Sequence, residues 1–141
     1  MLPHFTPVAF NPDLGLYFLR LAVGAVFLFH GWMKLVNVSA AAKGMGMKAG
    51  NVFVIGAIEL LGALMLIIGY SVQLAAFLLA IILVGAVYYK ISKWKVPFYS
   101  NKSTGYEFDL VMLASCLAIL LTGGGSIGFV QGLIRMVNLG V

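Results

Sequence analysis

Four long apolar stretches in succession, at about residues 14–36, 51–69, 72–89 and 106–122, constrain this chain more than any other feature. Each approaches the ~20 residues a helix needs to cross a hydrocarbon core, where a lone segment satisfies its own backbone polar groups only as a helix. With 62% hydrophobic and 9% charged residues, the chain has a bilayer as its natural solvent. Four spans and their connections use nearly all of the 141 residues. The expected architecture is therefore all-α: a single integral membrane four-helix bundle over residues 1–141.

Local chemistry agrees with these boundaries. Asn11, Pro12 and Asp13 supply cap and first-turn residues for the first span, which carries Arg20, His30 and Lys34. The opening MLPHFTPVAFNPDLG lacks a basic n-region, so that helix is expected to be retained rather than removed as a signal peptide. Residues 37–50, rich in Ala and Gly, read as a flexible connection. The second span is apolar except for Glu59, with Gly56 and Gly62 about one turn to either side; small residues spaced this way let another helix approach closely. Tyr70, Ser71 and Gln73 leave space only for a tight hairpin, so the third span returns antiparallel beside the second. Trp94, Tyr99 and the lysines around them have the character of a membrane interface, and Pro97 stops a helix there. Gly123, Gly124 and Gly125 end the fourth span, and the tail over 126–141 alternates apolar residues with Gln131, Arg135 and Asn138, as in a short interfacial helix.

The net charge of +5 would suggest a nucleic-acid partner in a soluble protein. Here it reports topology. Lys34, Lys43, Lys48, Lys90, Lys93, Lys95 and Lys102 all fall at the two odd-numbered connections, against only Arg20 and Arg135 on the other side. By the positive-inside rule both termini face outward, and no nucleic-acid partner is expected.

Cys116 is the single cysteine and lies in an apolar run, which excludes a disulfide framework, a Cys-x-x-Cys redox motif and a thiolate metal site. His30 has no plausible axial mate for haem, because His4 sits in the irregular N-terminal segment. With no haem, metal or flavin motif in the chain, redox chemistry would belong to a bound cofactor or a partner.

The ionisable residues within the spans are the candidates for chemistry. At 1.5 Å per residue, Glu59 lies about 12 Å in from the start of the second span. His30 and Lys34 at the end of the first span, and Glu107 and Asp109 at the start of the fourth, open on that same membrane face. A charge at membrane depth costs at least ~2.5 kcal/mol on insertion scales, so such groups turn inward and pair. The expected pairing is Lys34 or His30 with Glu59. These three form the candidate catalytic set, and Tyr106, Glu107, Asp109 and Arg20 the candidate substrate-binding set; snorkelling to headgroups alone would account for Arg20.

The runs LRLAVGAVFLFHGWMKL, IELLGALMLIIGY and GYEFDLVMLASCLAILLTGGG, taken in order, resemble the DoxX/DoxD family of four-helix membrane proteins over about residues 14–125. The resemblance implies that His30, Gly31 and Lys34, then Glu59 and Gly62, then Gly105, Tyr106 and Glu107 occupy motif positions. Members are associated with membrane oxidoreductases, including small subunits of a thiosulfate:quinone oxidoreductase and a mycobacterial complex linked to thiol and superoxide stress. It thus implies a multi-pass protein of a prokaryotic inner membrane, partnered by a second oxidoreductase subunit, and the large lateral surface of so small a bundle leaves room for homo-oligomers. The expected function is to hold a quinone or a small sulfur-containing substrate in a polar intramembrane site. The alternative is a non-catalytic anchor for soluble redox enzymes, or a conduit for small solutes or protons.

Overall fold

The computed structural model describes residues 11–101 and 104–138, without the side chains of Gln131, Leu133, Ile134 and Arg135. The segment with His4, residue Lys102 and the last three residues of the tail lie outside the described residues. Every regular element is a helix: α1 Pro12–Val36, α2 Val38–Met45, α3 Ala49–Ile68, α4 Val72–Ser92, α5 Tyr106–Thr122 and α6 Phe129–Asn138.

Helix ends follow the local sequence. The Asn11 side chain accepts a hydrogen bond from the Leu14 N–H at 3.1 Å, and Pro12 and Asp13 occupy the first turn of α1 as expected. Asn37 breaks the chain between α1 and α2 and caps the latter, accepting from the Ala40 N–H at 3.1 Å. The stretch expected to be a flexible connection is therefore partly a helix, packed on α3 and α1. Its three successive alanines are the strongest helix formers, and one Asn supplies the start signal. Between α3 and α4 the turn is as tight as expected, with the Gly69 and Tyr70 N–H groups donating back to the Met65 carbonyl.

α1 packs on α3, α3 on α4, α4 on α5, and α5 returns to α1. The α1–α3 interface is the most intimate of these. A Cβ on Gly31 would lie 2.7 Å from the Leu60 nitrogen and 2.9 Å from the Gly56 carbonyl oxygen, so only glycine lets the two backbones touch there. Gly56 makes room for the stem of Lys34, whose Cβ would be 3.0 Å from a Cβ at that position. Val23, Phe27, Ala63, Leu66, Leu79, Cys116 and Ile119 build the core.

Large apolar side chains cover the outside. Phe18, Phe29, Leu61, Val111 and Leu121 are all more than half exposed, a surface suited to lipid rather than to water. α1, α3 and α4 are each long and apolar enough to cross a membrane. α5, at 17 residues, is shorter.

Candidate functional site

A cavity of about 370 Å³ lies among α1, α3, α4 and α5 at the end where α1 and α4 finish and α3 and α5 begin. Its size falls within the ~300–1,000 Å³ of small-molecule sites. Most of its wall is apolar, from Val26, Phe27, Ile55, Ile82, Leu83 and Met112. The polar groups are few and converge from four helices.

On one wall Lys34 of α1 meets Glu59 of α3, Nζ to Oε2 at 2.5 Å. Glu59 is 4% exposed and its carboxylate stands on the face of α3 that Gly56 and Gly62 leave uncrowded. On the other wall Lys90 of α4 meets Asp109 of α5, again at 2.5 Å. Lys90 also donates to the carbonyls of Thr104 and Gly105, at 3.3 and 3.2 Å, so it ties the start of α5 to the end of α4. A buried pair needs close geometry and such extra bonds, because each partner has to offset the other's desolvation. His30 lines the same cavity, within electrostatic reach of Lys34, Asp109 and Lys90, yet is itself exposed at the outer surface of α1.

The basic end of the cavity is edged by α2 and by the segment that follows α4. Met45 and Met47 at the end of α2 line it together with Tyr89 and Trp94, and the Trp94 indole N–H donates to the Met45 carbonyl at 3.2 Å. Among the described residues no group of three or more His, Cys, Asp and Glu converges to hold a metal ion.

Of the residues singled out from sequence, the cavity gathers His30, Lys34, Glu59 and Asp109. Lys34, not His30, takes the Glu59 carboxylate, because the lysine stem passes over Gly56 toward it. Tyr106 and Glu107 do not line the cavity: the Tyr106 ring packs edge-on against Phe98, centroids 5.3 Å apart, and the Glu107 N–H donates to the Phe98 carbonyl. Arg20 is at the opposite end. Instead of reaching for headgroups it is fully buried, donating from Nη2 to the Ile127 carbonyl, with its guanidinium carbon 5.7 Å from the centre of the Tyr17 ring. Lys90, Tyr89 and the α2 methionines were missed. Lys90 was read only as one of the basic residues that set the topology.

Apolar helices with a lipid-suited exterior, and charged pairs turned inward on a shared cavity, define a helical membrane protein. The DoxX family model matches residues 15–91, more than half of the chain, and the chain belongs to that family. The match takes in His30, Lys34, Glu59 and Lys90 and ends before α5. The chain is 30% identical over 114 residues to a protein of Bacillus subtilis (strain 168) named "Putative oxidoreductase CatD", covering 79% of this chain and 81% of that one. It is 27% identical over 113 residues to an uncharacterized protein of Haemophilus influenzae (strain ATCC 51907 / DSM 11121 / KW20 / Rd), covering 79% and 84%. No solved structure matches the chain at a significant level.

Proposed function

We propose that this protein is the membrane subunit of an oxidoreductase and that its cavity binds the headgroup of a quinone. In this reading α5 is the fourth span, both termini lie outside a prokaryotic inner membrane, and α6 rests at the interface. The observation that carries it is the pair of lysine–carboxylate bridges, Lys34–Glu59 and Lys90–Asp109, facing one largely apolar cavity. A quinone ring is apolar with two carbonyl oxygens on opposite edges, so it calls for an apolar chamber with a hydrogen-bond donor on each side. Lys34 and Lys90 supply those donors.

Reduction of a quinone takes up two electrons and two protons. The electrons come from a partner subunit or a reduced sulfur-containing substrate, since the chain carries no redox motif of its own. Glu59 and Asp109 each sit beside a lysine at the cavity wall, where a carboxylate can take up a proton, pass it as the carboxylic acid to a reduced oxygen, and be protonated again. His30, exposed on one side and lining the cavity on the other, is a second route for that recharging.

The test is equilibrium binding of ubiquinone and menaquinone to the purified protein in nanodiscs. Saturable binding is expected, weakened about tenfold or more by Lys34→Met and by Lys90→Met. Absence of saturable binding by the wild type would remove the proposal.

A further inference from the structure

We infer that the cavity has a lateral portal between α3 and α4, walled by Ile55, Ile81, Ile82 and Gly85, through which the apolar tail of a lipid-soluble substrate extends into the bilayer. The inference rests on the quinone reading of the cavity and adds the route by which the substrate arrives.

α3 and α4 are held together at their hairpin end, where a Cβ on Gly62 would lie 3.0 to 3.2 Å from the branched end of Leu79. Antiparallel pairing across the turn sets Glu59 level with Ile82 and Ile55 level with Ala86, nearer the basic end. There Ile55, Ile82 and Ala86 line the cavity. Ile81 and Gly85, on the next stripe of α4, line it too, yet Ile81 is 53% exposed and Gly85 is exposed. A residue that belongs at once to a cavity wall and to the outer surface marks the rim of an opening. Nothing lies within 4 Å of where a Gly85 side chain would begin, so the rim is open at that point.

Depth and chemistry fix what passes through it. Ile81 lies eleven residues before the end of α4 at Ser92, or about 16 Å along a helix, well within the hydrocarbon. The rim is wholly apolar. On the water side Met45, Met47 and Trp94 edge the cavity, joined by the indole hydrogen bond to Met45, with Trp94 itself exposed. His30 marks a second exposed edge on α1, but an imidazole there suits proton exchange better than an alkyl chain. The apolar rim between α3 and α4 suits an isoprenoid chain and offers nothing to a soluble anion.

Gly85 allows the portal to be blocked without disturbing packing. Gly85→Leu places a branched side chain in the gap and removes a helix-weakening glycine, so the melting temperature should not fall. Gly15→Leu, on α1 away from the cavity and also facing open space, is the control. In nanodiscs, Gly85→Leu is expected to weaken binding of a long-tailed quinone about tenfold or more while leaving a tail-less benzoquinone within about twofold of wild type. The control should change neither. Ile81→Trp should reproduce the effect. Unchanged binding of the long-tailed quinone would overturn the portal and leave the quinone site standing, and an equal or greater loss for the tail-less ring would overturn it by showing that the leucine fills the headgroup chamber. If the wild type binds neither quinone, portal and site fall together.

Discussion

Lys34 and Glu59 face each other across the α1–α3 interface at 2.5 Å, just where Gly31 and Gly56 bring the two helix backbones into contact. The pair is thus built where the backbones of α1 and α3 touch. Breaking one member of a buried pair typically costs ~3–5 kcal/mol because the other charge is stranded.

That cost separates structure from chemistry. Glu59→Gln is expected to lower the melting temperature in detergent, and Glu59→Gln combined with Lys34→Met to restore most of it. Quinone reduction in membranes should stay lost in both, because an amide cannot take up and release a proton near neutral pH. Activity that returns together with stability in the double variant would show the pair to be only a brace.

Gly31 and Gly62 make a graded test of the packing. A methyl at Gly31 collides with the Leu60 and Gly56 backbones, whereas at Gly62 it meets only the flexible end of Leu79. Gly31→Ala should therefore destabilise by ~1–3 kcal/mol and Gly62→Ala by clearly less. Thermal melts of the two variants side by side decide it; equal losses would contradict the α1–α3 crossing described.

The glycines of α3 also show how far the sequence could be read. Gly56 and Gly62 beside Glu59 announce a helix contact on their own, and the contact is there, because small residues flanking a charge in an apolar run have few other uses. The choice of Lys34 over His30 as partner was not legible. Both lie on neighbouring stripes of α1, and only the crossing at Gly31 decides which stripe meets α3. Lys90 escaped for a different reason: in sequence it is one of four basic residues by a loop, and nothing but the return of α5 brings Asp109 to it. Residues 37–45 were misread because alanine and glycine were weighed alike as small, although one favours a helix and the other ends it.

Arg20 pins the segment that follows α5 to α1. Its Nη2 holds the Ile127 carbonyl, and Gly124 at φ 74° leaves room for the arginine stem, which a Cβ there would approach to 3.0 Å. Arg20→Met should free the segment that leads into α6. Hydrogen exchange is expected to rise across residues 125–138 and to stay unchanged in α3 and α4. A uniform rise over the whole molecule would mean that Arg20 supports the bundle rather than the tail.

The lysine-rich ends of α1, α2 and α4 predict a cytoplasmic face for the cavity's basic end and an external location for both termini. Alkaline phosphatase fused to the C-terminus should be active and a fluorescent protein fused there dark. The reverse pattern would invert the topology and place the two ion pairs at the outer leaflet.

A structure determined with a bound quinone tests the central claim most directly. The account predicts a planar ring between Lys34 and Lys90, each ammonium within hydrogen-bonding distance of a ring oxygen, with the chain leaving past Gly85. Ring density elsewhere on the protein, with a lipid acyl chain filling the space between the two ion pairs, would contradict it.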